Sequence, residues 1–289
     1  MIDQNQTTRL LEFLALSPKV FLLFASSQQL DIFLTTLACQ LFFQDVANLN
    51  LKQYPLKEPL LFGPKKIKQT LNRYAELSNY LENQKLLSIC QHDLGRENLS
   101  ITFPYQPEQV DQVSYQIGDN GQRFYLNIKP KKGHLPLNYE DVEFSYVGAS
   151  ADLLILFGTD DLSDLKDLYS KNKELYQNTP LISVNNFLPD FGTLNLDISG
   201  SSCYGEAVFY LIKNMAGSMN IELNSLESIK QLTTLLLASI SLKTNNFSHP
   251  KMTTNSFLAV AELLQLGAQR LNLEPSVKAK KTKNTKTED

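Results

Sequence analysis

Ala151-Asp152-Leu153-Leu154-Ile155-Leu156-Phe157-Gly158-Thr159-Asp160 is followed, after a helical pattern, by Pro180-Leu181-Ile182-Ser183-Val184-Asn185. Residues 153–157 and 181–184 are nearly unbroken apolar runs, which is how a strand covered on both faces reads. Between them Leu162, Leu165, Leu168 and Tyr169 recur at helical spacing. Thr159 reads as the N-cap of that helix, with Asp160 and Asp161 in its first turn, where the helix dipole favours carboxylates. Strand, helix, strand predicts two parallel strands joined by a right-handed crossover. The ligand site of such a unit lies beyond the strand C-termini, where Gly158 and Asn185 stand.

Working outward, Leu10, Leu11, Phe13 and Leu14 predict a short amphipathic helix, and residues 19–25 predict another doubly buried strand. Leu30, Phe33, Leu34, Leu37 and Leu41 form one helical stripe directly after it, which opens a second strand–helix unit. Residues 65–88 carry Ile67, Leu71, Tyr74, Leu77 and Leu81 at steps of three and four. The period then changes to two. Val113, Tyr115 and Ile117 alternate with polar neighbours, as do Phe124, Leu126 and Ile128, and Gly118-Asp119-Asn120-Gly121 between them reads as a turn. Further helices are expected over 204–215, 226–242 and 257–271, and residues 276–289 are low-complexity Lys and Thr, expected to be disordered. The resulting expectation is a three-layer α/β domain over 1–275. A mainly parallel sheet is flanked by helices, and a helical and antiparallel β-hairpin insertion occupies about 65–145.

Composition narrows the function classes. With 43% hydrophobic and 20% charged residues among 289, the chain can bury enough apolar surface to offset the entropy of ordering it. The net charge is −3; five lysines against two acids give residues 276–289 a charge of +3, which leaves −6 on the rest. An acidic body is a poor partner for long duplex nucleic acid. Cys39, Cys90 and Cys203 are odd in number and widely spaced, which argues against a disulfide framework or a zinc site and for small buried residues. The apolar run at 20–24 is too short for a bilayer, so a cytoplasmic protein with no membrane partner is expected. No Gly-rich phosphate loop follows any expected strand.

The order of these segments resembles that of the DHH phosphoesterases. Residues 151–160, then 180–186, then Phe191-Gly192-Thr193-Leu194-Asn195 look like the family's second and third motifs. Ser201-Ser202 followed by Glu206, and Phe247 with Thr253-Thr254 before Gly267-Ala268, look like its downstream signatures. The pattern is most like the bacterial oligoribonuclease and phosphoadenosine-phosphate phosphatase group, with the RecJ exonucleases more distant. The resemblance implies a phosphoesterase fold whose members hydrolyse phosphate esters with a pair of divalent cations, usually Mn2+.

The ligand positions implied by the resemblance are almost all replaced. Ala25 stands where the family has a histidine, and Gln29 where it has the first aspartate; Asp31 is the only retained metal ligand. Gly158 takes the place of the second-motif aspartate. Asn185, Asn186 and Phe187 take that of Asp-His-His. Lys243, in Lys243-Thr244-Asn245-Asn246-Phe247, falls where some members have a carboxylate. The family's C-terminal substrate-binding domain has no counterpart after the last expected helix. Hard cations need several anionic oxygens to stay bound and to acidify a water, so no metal cofactor and no metal-dependent catalysis are expected. The expected site is a vestigial cleft of Ala25, Gln29, Asp31, Gly158, Asn185, Asn186, Lys243 and Asn245, binding a nucleotide, a short oligonucleotide or a protein partner. The asparagines have a second reading as helix caps and turn residues. Two alternatives stand beside it: a phosphoesterase with a metal site rebuilt from Asp31 and His249, and a structural subunit pairing with an intact paralogue or with itself.

Overall fold

The computed structural model describes residues 4–26, 28–95 and 98–275, so the expected tail at 276–289 lies outside the described residues. In chain order the elements are α1 Gln4–Leu16, β1 Val20–Phe24, α2 Leu30–Asn48, β2 Leu60–Phe62, α3 Ile67–Leu71, α4 Ala75–Asn83 and β3 Cys90–Gln91. Then come β4 Asn98–Thr102, β5 Val110–Gly118, β6 Arg123–Pro130 and β7 Glu143–Val147. The chain continues with β8 Leu153–Phe157, α5 Asp167–Ser170, α6 Lys173–Asn178, β9 Leu181–Asn185, β10 Leu194–Asp197, α7 Tyr204–Ser218, α8 Ile229–Lys243 and α9 Thr254–Gln265. Two compact units result, Met1–Leu94 with Ser150–Asp289, and Gly95–Ala149.

The first unit is built on a six-stranded sheet ordered β10-β9-β8-β1-β2-β3, with every neighbouring pair parallel. Strands β1, β8 and β9 are buried at every residue, as their apolar runs require. Chain order reverses between β1 and β8. From β1 the chain moves one way, to β2 and β3; from β8 it moves the other way, to β9 and β10. Right-handed crossovers in opposite directions put their helices on opposite faces of the sheet, which gives the three layers. It also makes the C-terminal ends of β1 and β8 the topological switch point, where open α/β sheets bind ligands.

Helix α2 is long and apolar enough to cross a membrane by composition, but 89% of its apolar window is buried inside the protein, which makes it a core helix. Polar pins fix it against α8. Thr35 Oγ1 meets Ser239 Oγ at 2.8 Å, and Ser239 Oγ donates to Asp31 O at 2.9 Å. Asp45 accepts from Ser228 N at 3.1 Å and Ser228 Oγ at 2.7 Å, just before the first turn of α8. Helix α7 approaches α8 closely at Gly205, where an added Cβ would lie 2.8 Å from Ser239 Oγ and 3.0 Å from Leu236 O.

Several local expectations change. The 65–88 pattern is broken into α3 and α4, and Ile67, Leu71, Leu77 and Leu81 join the core of the first unit rather than the insertion. The break falls where Tyr74 leaves helical geometry (φ −122°, ψ 85°). The N-cap after β8 is Asp161, not Thr159: its side chain accepts from Ser163 N at 2.7 Å while Asp164 accepts from Asp161 N at 3.2 Å. Thr159 is fully buried instead. Helix α9 ends at Gln265 rather than at 271, with the chain reversing through Gly267 at φ +94°.

In the second unit β5 and β6 form the expected hairpin around Asp119–Gly121, and β4 pairs antiparallel with β7. None of its residues with a described side chain is buried.

Candidate functional site

Two adjoining clefts open on the C-terminal edge of the sheet. The first, of about 780 Å3, lies over the ends of β8, β9 and β10 and is lined by Gln29, Gly158, Asn186 and Lys243, with the loop at 198–203 and His249. The second, of about 710 Å3, lies over β1 and β2, with Ala25, Pro64, Lys65, His92 and Lys166 in its wall. Gln29, Gly158 and Asp160 line both, so the partition stands at the switch point between β1 and β8.

Of the residues expected at the site, Gln29, Gly158, Asn186 and Lys243 are brought together in the first cleft. Asp31 lies behind them, 7% exposed at its side chain, with Oδ2 3.6 Å from Lys243 Nζ. That separation is an ion pair without a hydrogen bond, and Oδ2 is otherwise without a partner. Burial raises the Asp31 pKa above the usual carboxylate value, and the Lys243 ammonium partly offsets this.

Asn185 is 1% exposed and fully engaged. Its Nδ2 donates to Ser183 Oγ at 2.6 Å and to Thr159 O at 3.1 Å, and its Oδ1 accepts from Tyr204 Oη at 3.3 Å. It ties β9 to the loop after β8 and to α7, rather than facing a ligand. Ala25 belongs to the second cleft. Asn245 is absent from both and lines a separate recess with Tyr74, Ser241 and Arg270. The cause is local: Asn245, Asn246 and Phe247 take φ of +49°, +54° and +67°, a left-handed run that turns the chain sharply after α8. The same turn carries His249 to the cleft rim. There Lys251 N donates to His249 Nδ1 at 3.1 Å, leaving Nε2 as the protonated nitrogen of the neutral ring.

The residues that complete the first cleft come from the loop before α7. Ser199 is folded onto Asp197 by bonds of 2.8 Å and 3.0 Å, and Ser201 N donates to Ile198 O at 2.9 Å. Glu206, 1% exposed, accepts through Oε2 from Ser202 N at 2.9 Å, from Ser202 Oγ and from Ser256 Oγ at 2.7 Å. It fixes the loop to the start of α9. Ser201 is in the cleft wall, but its Oγ is turned inward, buried and without a protein partner. No side-chain cap closes the first turn of α7, so the positive end of a 15-residue helix faces this region. Cys203, at the N-cap, has its thiol pushed up to about 11 by burial, which removes it as a nucleophile at neutral pH. In the sequence, a Ser/Gly run before an apolar helix was the signal for this loop; the role of Ser256 gave none.

The residues do not fit a pair of divalent cations. Among the described residues no three His, Cys, Asp or Glu side chains converge. Asp31 already has a lysine for its counter-charge. Gly158, at φ +58°, stands in a conformation that costs a side-chain-bearing residue about 1–2 kcal/mol, and a Cβ there would come within 2.2 Å of Ile32 Cδ1.

No family model matches the chain, and no curated protein matches it. Among solved structures it is similar to an exopolyphosphatase-related protein from Bacteroides fragilis, with 13% identity and a TM-score of 0.50 over 93% of this chain. The chain spans 58% of that protein's length. At this identity the likeness is one of fold. A second similarity, to a mutant Sir2 homologue in complex with ADP-ribose, covers 74% of this chain and 98% of that one at 10% identity. Its TM-score of 0.31 is too low to define a shared fold.

Proposed function

We propose that this protein is a degenerate DHH-like phosphoesterase that binds a nucleotide or short oligonucleotide at the switch point, without a metal and without hydrolysing it. The observation that carries this reading is the Lys243 ammonium, 3.6 Å from Asp31 and 46% exposed to the cleft. A built-in monovalent cation stands beside the one retained acid. An ammonium can hold a phosphate oxygen but cannot acidify a water as a divalent metal does.

The remaining donors support a phosphate ligand. The amides of Gln29 and Asn186, the Ser199–Ser202 loop and the N-terminal end of α7 surround the same space. The nucleoside extends over Gly158 into the second cleft, whose lining includes Pro64 with Lys65 and Lys66. Three buried free cysteines accord with a reducing compartment, and we place the protein in the cytoplasm.

Calorimetric titration of mononucleotides and dinucleotides in the presence of EDTA tests the reading. Binding is expected in EDTA, weakened about tenfold or more by Lys243→Glu, because a charge-assisted bond is replaced by repulsion. Mn2+-dependent release of nucleoside monophosphates, abolished by Asp31→Ala, would instead establish a rebuilt metal site, with His249 in the cleft wall as its imidazole.

A further inference from the structure

The hairpin β5–β6 is amphipathic, and its own unit leaves the apolar side uncovered. Cross-strand pairs Val113–Ile128, Tyr115–Leu126 and Ile117–Phe124 all point to one side, because directly opposed residues share a face and successive pairs of this kind are two residues apart. The alternate pairs Gln112–Lys129, Ser114–Asn127 and Gln116–Tyr125 point to the other. Both sides of the ribbon are open, the apolar one included: Val113 is 58%, Tyr115 69%, Ile117 66% and Phe124 65% exposed. An isolated two-stranded ribbon is marginal in water, and the unit that carries it buries none of its described side chains. This face needs a cover.

We propose that the cover is the same face of a second copy of this chain, in a twofold pair. Charge selects that occupant. The face itself carries no charge, and three cations of the hairpin unit are paired within it: Lys129 with Asp111 at 3.0 Å, Arg123 with Asp119 at 3.4 Å and Lys131 with Glu108 at 2.7 Å. Among the unit's described residues that leaves Lys132 as the lysine or arginine without an ion pair, and a single cation is too few to hold an anionic lipid surface or a nucleic-acid backbone. A like neutral face meets it without repulsion, as an isologous interface demands. Area agrees. Six largely apolar side chains at these exposures offer roughly 600 Å2 per copy, about 1,200 Å2 across the pair, which is the lower bound for stable interfaces. The Tyr115–Leu126 pair is at the middle of the patch, where a twofold axis would pass, and the Phe124 ring of the end pair stacks on Tyr115 at 5.3 Å.

Sedimentation velocity on the full chain tests this. At roughly 50 µM the wild type should sediment as two copies, since an interface of this size is expected to bind in the micromolar range. Ile117→Lys with Phe124→Glu should give a single copy with unchanged far-UV circular dichroism, while Gln116→Lys on the opposite face should leave the pair intact. A chain with Leu126→Cys should cross-link to itself on mild oxidation, and one with Ser114→Cys should not; the three native cysteines are buried. A single copy at every concentration with no cross-link at Leu126→Cys would overturn the proposal, as would a pair indifferent to the double substitution. Single-stranded RNA binding by a single-copy wild type, lost on Tyr115→Ala, would overturn it in favour of a base-stacking platform.

Discussion

Asp31 and Glu206 are both buried carboxylates near one cleft, each with one oxygen that has no hydrogen-bond partner, and they differ in what the rest of the group holds. Glu206 Oε2 accepts three hydrogen bonds and joins the loop before α7 to the start of α9. Asp31 Oδ2 accepts none from the protein and has only the Lys243 ammonium at 3.6 Å. Glu206 is therefore a structural tie. Asp31 is a cost to the fold that a lysine reduces.

The contrast ranks the substitutions that would break it. Glu206→Ala should be the most damaging, because it leaves an amide and two hydroxyls in a buried region without their acceptor; about 3 kcal/mol of unfolding free energy should be lost in urea titrations. Lys243→Met should cost less, about 1 kcal/mol, since the lysine is half exposed and water shares in solvating Asp31 once it is gone. Asp31→Asn should be nearly neutral or stabilising by a few tenths of a kcal/mol at pH 7, the reverse of the loss expected for a structural acid. If Asp31→Asn instead matched Glu206→Ala, the distinction between the two carboxylates would collapse.

The sign of a pH effect sharpens the same comparison. The folded-state pKa of Asp31 is raised, chiefly by burial. Between the unfolded value and that raised value the folded chain holds the extra proton, so the contribution of Asp31 to stability is present at lower pH and is lost as pH climbs through the window. A smaller fall in thermal midpoint across the range just above the ordinary carboxylate pKa is expected for Asp31→Asn than for the wild type.

Much of the fold was legible because its central strands bury both faces and so cannot tolerate polar interruption; residues 20–24, 153–157 and 181–184 announced themselves. The hairpin was legible from strict alternation around Gly118–Gly121. Strands β2 and β3 were not, since three and two residues are too few to show a period. At the site, the resemblance grouped Gln29, Gly158, Asn186 and Lys243, and these four line one cleft because strand ends are fixed by the sheet. It failed for Asn245, whose place depends on three consecutive left-handed residues that only the folded turn defines. The Asp31–Lys243 pair was hidden for a different reason: it joins α2 to α8, helices from opposite ends of the chain that meet only through packing.

The central claim is that this cleft offers too little anionic oxygen to retain divalent metal. Electron paramagnetic resonance of Mn2+ titrated into the purified protein tests it most directly, because bound ions lose the sharp six-line signal of the aqueous ion. The signal should equal that of buffer alone at every ratio of ion to protein. Stoichiometric loss of the signal that Asp31→Asn restores would contradict it.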